Sequence, residues 1–316
     1  MFASQNGHYQ VVELLLKENA NANLQTQKGS SALMFASDNG HYQVIELLLK
    51  GKSDPNFEDQ EVQLLLKENA DPNLQREDGM TSLMFCQSEW PYRVVELLLK
   101  ENANPHFQAQ DGMTALMFAS ENSHYQVIEL LLKESADPNL QKQDGWTAIM
   151  FASKNGHHPV VELLLKEKAD PNLQTQKGST ALMFASDNGH YQVIELLFKV
   201  NANHNLQTQE GWTALMYASE NDHYEVVELL LKENADPNLQ TQDGWTALMF
   251  ASQNGHYQIV DLLLKESADP HLESQEGWTA LMLASQNGHT KSLSFFLKKM
   301  LILIFKMKRY DCFNVC

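Results

Sequence analysis

Eight histidines stand at one recurring place in the chain: His8, His41, His124, His157, His190, His223, His256 and His289. A row of imidazoles is metal-binding chemistry if the rings can converge on one ion. Zinc–nitrogen bonds are about 2.0–2.1 Å long, whereas packed helices stand about 8–10 Å apart. One histidine in each helical layer therefore cannot chelate, and no metal site is expected. A helix-junction side chain bonded to nearby backbone is the better reading. The carboxylates give a similar answer. Glu129/Lys133, Glu162/Lys166, Glu195/Lys199 and Glu228/Lys232 are i,i+4 pairs, which support a solvated helix face and are not acid–base couples. No Walker loop, dinucleotide fingerprint, nucleophile elbow, kinase set or zinc motif is present. Catalysis needs an irregular constellation of groups, and near-identical copies do not supply one. Neither enzymatic activity nor a cofactor is expected.

The element that places the histidines is a 33-residue unit. Gly79, Gly112, Gly145, Gly178, Gly211, Gly244 and Gly277 keep that stride, and full copies occupy 28–60, 78–110, 111–143, 144–176, 177–209, 210–242 and 243–275. Residues 243–275, "DGWTALMFASQNGHYQIVDLLLKESADPHLESQ", serve as the reference unit. Asp243-Gly244 is a tight-turn signal, and the glycine persists where the aspartate becomes Lys28, Lys177, Glu210 or Glu276. Thr246 suits an N-cap. "ALMFASQN" predicts a short first helix with Leu248 and Ala251 facing inward, ended by Gly255. "YQIVDLLLKE" predicts a second helix through the i,i+4 pairs Ile259/Leu263 and Val260/Leu264. Ser267 stands where other copies have Asn69, Asn102 or Asn234, a left-handed C-cap site, and Pro270 blocks further helix.

One helix pair cannot bury its apolar faces alone, whereas stacked pairs can. Asp243, Gly244, Thr246, Leu248, Ala251, Gly255, His256, Val260, Leu263, Leu264, Ala268 and Asp269 carry a close resemblance to the ankyrin-repeat family, from the start to about residue 289. The resemblance implies an all-α ankyrin-repeat solenoid, built of helix–turn–helix pairs with short hairpin loops. It also implies protein–protein recognition on a concave hairpin and first-helix face. The family phrase T-P-L-H is here T-A-L-M. Ala247 lacks the proline's fixed φ. Met249 cannot join the hydrogen-bond network that the family's histidine makes between repeats, so packing is expected to replace that link. Met34, Met84, Met117, Met150, Met183, Met216, Met249 and Met282 accordingly read as core residues.

The formal charge is −17 over 316 residues. Phosphate recognition needs a surplus of lysine and arginine, so nucleic acid is not an expected partner. Cys86, Cys312 and Cys316 are too few and scattered for a disulfide framework, which points to a reducing, cytoplasmic setting. The start "MFASQNGHYQ" has no signal-peptide pattern.

The pattern divides the chain into 1–60, N-terminal repeats with the first truncated; 61–77, a half repeat; 78–289, the main array; and 290–316, a capping helix and a basic, apolar tail. Met1 aligns with Met34, which predicts further chain upstream. The half repeat is expected to disturb stacking. In 78–110, Trp90 and Pro91 stand where Gly255 and His256 stand in the reference unit. The apolar run at 293–305 is shorter than the roughly 20 residues that a spanning helix needs. Membrane contact is therefore expected only through a basic interfacial tail, and Cys312 and Cys316 fit no prenylation box.

The informative residues are those that look odd on a repeat surface. Trp146, Trp212, Trp245 and Trp278 follow the turn glycine, and Phe118, Phe151, Phe184, Tyr217 and Phe250 lie one helical turn further in. Tryptophan is enriched at interface hot spots, so these nine side chains are the expected partner-binding set. Lys154, Asp187, Glu220 and Gln253 differ between copies and are expected to give specificity. The expected molecule is a monomeric scaffold that binds a basic or amphipathic protein segment. The alternative is a spacer or targeting arm held at a membrane by the tail. Replacing Trp212 and Trp245 by alanine is expected to end partner capture with little loss of thermal stability.

Overall fold

The structure is a computed structural model and describes residues 1–50, 69–86, 91–299 and 301. Among these residues the regular structure is helical, with one isolated antiparallel bridge between Gln25 and Ser31 and no strand. The expected all-α architecture of stacked helix pairs is what is observed.

The reference unit shows why the sequence folds this way. Thr246 is extended, and its Oγ1 accepts the Met249 N–H at 3.3 Å, capping the helix Ala247–Asn254. That helix ends at Gly255 in the left-handed region, with φ of 78°. The second helix, Tyr257–Lys265, follows at once. It closes with Ser267 at φ of 68° and the Ala268 N–H on the Leu263 carbonyl at 2.9 Å. Leu248, Met249 and Ala251 from the first helix and Ile259, Val260 and Leu263 from the second are fully buried. Each such leucine contributes roughly 1.5–3 kcal/mol on transfer from water.

The turn glycine has two reasons to be there. Gly211 has φ of 84°, and a Cβ on it would lie 2.8 Å from Cα of Thr241 in the next hairpin. Successive hairpins therefore touch through bare backbone.

The methionines of the altered phrase are buried from Met34 through Met249, whereas Met282 in the last copy is 48% exposed. These seven methionines are core residues, as expected. In one copy the sulfur does more, since Met34 Sδ accepts the Ser31 N–H at 3.4 Å, where Ser31 is the N-cap.

The chain forms two compact units. One comprises Met1–Ala152 with Glu162–Ala169, the other Ser153–Val161 with Asp170–Cys316. Within the first unit, second helices pack in sequence: Tyr9–Lys17 on Tyr42–Lys50, Tyr42–Lys50 on Pro91–Lys100, and Pro91–Lys100 on Tyr125–Lys133. Pro91 opens its helix, a position where a missing N–H costs nothing. Trp90 lies outside the described residues, as do 51–68, which hold the first eight residues of the expected half repeat.

The bonds on either side of 51–68 define the register. Asn23 Nδ2 donates to the Asn69 carbonyl across 46 positions, whereas Asn73 donates to Asn102 across 29. Gln25 Nε2 reaches the Gln75 carbonyl across 50 positions, whereas Gln108 reaches Gln141 across 33. Both contacts span 17 extra positions. The Ala70 N–H meets the Leu48 carbonyl at 2.8 Å, the bond that Ala268 makes to Leu263. Residues 69–77 thus complete the unit that opens at Lys28, and stacking resumes directly on the unit that follows.

In the second unit, first helices pack in sequence: Ala181–Asp187, Ala214–Glu220, Ala247–Asn254 and Ala280–Gln286. Residues 290–299 are helical, with Phe296 buried and Leu297 exposed. Residues 302–316, most of the expected tail, lie outside the described residues.

Candidate partner-binding face

Each tryptophan after the turn glycine is set by its hairpin. The Trp212 and Trp245 N–H groups donate to Thr208 Oγ1 and Thr241 Oγ1, both at 3.0 Å. Trp278 uses Ser274 Oγ at 3.1 Å, and Trp146 uses Asp144 Oδ1 at 3.4 Å. These hydroxyls were not singled out from the sequence. Their signal is a threonine or serine four residues before the aromatic.

The rings then interleave. Trp212 lies 4.9 Å from Tyr217 of its own repeat and 4.4 Å from Phe250 of the next, and Trp245 lies 5.1 Å from Phe250. Tyr217, Trp212, Phe250 and Trp245 thus form one aromatic column along the second unit. Offset, tilted rings at these separations attract beyond simple burial. Phe250, flanked on both sides, is buried, while the other three are half-buried.

In the first unit Trp146 and Phe151 pair at 4.8 Å. Trp278 is half-buried and its own first helix carries Leu283 in place of a ring, so it makes no ring–ring contact among the described residues. Phe118 is also half-buried, in a repeat with Met113 at the tryptophan position, and Phe184 is half-buried too. The simple row of exposed tryptophans expected from the sequence is therefore a ladder of alternating residues, and the indoles help to hold it. Removing two of them is therefore expected to cost stability, where the sequence alone predicts little loss.

The histidines do bond backbone, across repeats. Nε2 of His41, His190, His223, His256 and His289 meets the carbonyls of Gln5, Lys154, Asp187, Glu220 and Gln253 at 2.9–3.0 Å. A carbonyl only accepts, so Nε2 carries the proton. Each acceptor is the last or next-to-last residue of the preceding first helix, where carbonyls lack intrahelical partners. His124 Nε2 has no partner among the described residues, and burial holds its pKa below the usual value. Among the described residues no three histidine, cysteine or acidic side chains group as a metal site would.

Four of the acceptors are the variable positions. Lys154, Asp187 and Gln253 are exposed and Glu220 half-buried. Burial first, then Asp187, raises the Glu220 carboxyl above its usual range. Burial, Asp187, Glu210 and Glu220, in that order, raise the Tyr217 phenol. Asp187 Oδ1 accepts from Asn221 Nδ2 at 2.9 Å.

A family model described as ankyrin repeats (3 copies) matches residues 1–59, 57–142, 89–175, 131–208, 149–241, 194–274 and 233–303. The chain belongs to the ankyrin-repeat family. No curated protein matches it. Ankyrin repeats are generally protein–protein interaction modules and typically non-enzymatic. In this ankyrin-repeat protein the column of four stacked rings lies in the second unit, on its hairpins and first helices. No helix among the described residues is long and apolar enough to cross a membrane.

Proposed function

We propose that this ankyrin-repeat protein is a non-enzymatic scaffold, acting as a monomer, that binds a basic protein segment along the hairpin and first-helix face. The observation that carries the proposal is the column Tyr217–Trp212–Phe250–Trp245, in which Phe250 is buried and the other three rings are half-buried at the surface. A rigid aromatic strip loses little side-chain entropy on binding, and tryptophan and tyrosine dominate interface hot spots. The formal charge of −17 favours a basic partner by attraction and steering. Lys154, Asp187, Glu220 and Gln253 line this face with side chains that differ from copy to copy and so select the partner. Cys86, a buried free thiol, supports a cytoplasmic setting.

The test is affinity capture from lysate, with identification by mass spectrometry. Capture is then repeated with the double variant Trp278→Ser, Gln253→Arg. Neither residue belongs to the stacked column, so the melting temperature should hold while the partner is lost. Undiminished capture would move the binding surface elsewhere.

A second reading rests on Leu297 and Leu301, an exposed i,i+4 pair beside Lys298. It makes the C-terminal segment a peripheral membrane contact of a spacer or targeting arm. Co-sedimentation with vesicles of one-third phosphatidylserine tests it. Equal sedimentation of the full chain and of residues 1–289 would exclude it.

A further inference from the structure

The aromatic column stops one ring early. Trp212 meets Phe250, 38 positions later. The same offset pairs Tyr217 with residue 179, which is Ser179. A serine stands where Trp212 and Trp245 put an indole in later repeats, so one flank of the Tyr217 ring lacks the ring that covers Phe250. Phe250 is buried and Tyr217 only half-buried. Burial first, and then the charges of Asp187, Glu210 and Glu220, raise the Tyr217 phenol, so three carboxylates lie near this ring. None of the three has a lysine or arginine as ion-pair partner among the described residues. A ring flank that carries a serine in place of an indole, with carboxylates nearby, suits a planar cation.

The first unit contains the same arrangement with its occupant in place. There Ser30 stands at the Ser179 position, Phe85 at that of Tyr217, Asp38 at that of Asp187 and Asp78 at that of Glu210. The Arg76 guanidinium carbon lies 5.2 Å from the Phe85 ring centroid, and its Nε donates to Asp78 Oδ1 at 2.9 Å. That bond, and more weakly the charge of Asp38, holds the guanidinium in its charged form. In the second unit the position of Arg76 is taken by Thr208, and the cation is missing.

We propose that Ser179, Tyr217, Asp187, Glu210 and Glu220 form a receptor for an arginine side chain of the bound segment, which stacks on Tyr217 as Arg76 stacks on Phe85. The proposal rests on the scaffold reading above and names the anchor of that same face. Lysine fits less well, because an ammonium is a hydrated point charge, whereas a guanidinium is flat, stacks on rings and forks onto carboxylates.

The full chain is titrated with two blocked pentapeptides, Ala-Ala-Arg-Ala-Ala and Ala-Ala-Lys-Ala-Ala, followed by ligand-observed NMR. The arginine peptide should bind about tenfold more tightly, a difference of about 1.4 kcal/mol. Thr208→Arg, which rebuilds the self-occupied arrangement, should remove that binding while keeping the fold. Asp187→Asn with Glu220→Gln should also remove it and serves should Thr208→Arg fold poorly. Equal affinity for the two peptides, absence of saturable arginine binding, or a preference that survives these substitutions would overturn the proposal. Loss of the partner in Trp278→Ser, Gln253→Arg alongside any of these results would sink the arginine receptor and leave the scaffold reading standing.

Discussion

The Trp212 indole centroid lies 4.4 Å from the Phe250 ring of the following repeat. The contact joins a hairpin to the neighbouring first helix, so it is at once part of the candidate binding face and part of what holds two repeats together. Trp212→Ala should therefore lower the melting temperature, by the equivalent of about 2 kcal/mol, less than the 3–5 typical of a fully buried tryptophan. Trp212→Phe should recover most of the loss. Denaturant unfolding monitored by circular dichroism checks both.

The histidine link is a separate contribution. His256→Ala removes the bond to the Glu220 carbonyl and should cost about 1 kcal/mol, the usual net worth of one such bond. His256→Gln should cost less if its amide reaches the same oxygen. Thermal melts at fixed pH distinguish the three proteins.

Ser219 and Ser252 lie in the last turn of their first helices, with buried hydroxyls that find no partner among the described residues. An unsatisfied buried hydroxyl is penalised by about 1–3 kcal/mol. Ser219→Ala and Ser252→Ala should each raise the melting temperature, and a fall would show that the hydroxyls are bonded in solution.

Glu220 provides a pH test. Its folded pKa is raised, by burial and then by Asp187, so the folded chain holds this proton more tightly than the unfolded chain does. The side chain therefore favours folding at pH values below its unfolded pKa, and that contribution is lost as pH rises through the folded pKa. Glu220→Gln should raise the melting temperature at neutral pH, and the gain should shrink as the solution is acidified into the carboxylate range.

The extra 17 positions before Asn69 give the most direct test of register. Deleting residues 51–67 joins Lys50 to Glu68 and restores the phrase "LLLKENADPNLQ" found in 210–242. The shortened chain should fold with undiminished helix content and an equal or higher melting temperature. A collapse of cooperativity would show that those residues support the repeats around them.

Much of this was legible before any coordinates. Thr246 as cap, Gly255 as left-handed stop and the buried pairs of Tyr257–Lys265 each follow from a few neighbouring letters, because local backbone chemistry fixes them. The histidine role was legible in kind but not in partner, since the acceptor lies 36 positions away and any residue offers a carbonyl. The aromatic ladder was missed for a related reason. Trp212 and Phe250 belong to different copies, and a row of like letters hides the fact that unlike letters touch. The register near Asn69 was hidden by repetition itself. "DPNFEDQ" after Lys50 imitates the ending that "DPNLQRE" supplies, and only the long-range bonds of Asn23 and Gln25 tell them apart.

The bond from His223 to the Asp187 carbonyl, and its counterpart from His256 to Glu220, touch main-chain oxygen alone. These histidine links thus do not depend on which amino acid occupies the acceptor position, although the Asp187 side chain adds a bond of its own by accepting from Asn221 Nδ2 at 2.9 Å. Mutation can rewrite the outward alphabet at Lys154, Asp187, Glu220 and Gln253 one letter at a time without unfastening the histidine joints. Such an architecture lets recognition drift quickly on a frame that inherits almost unchanged.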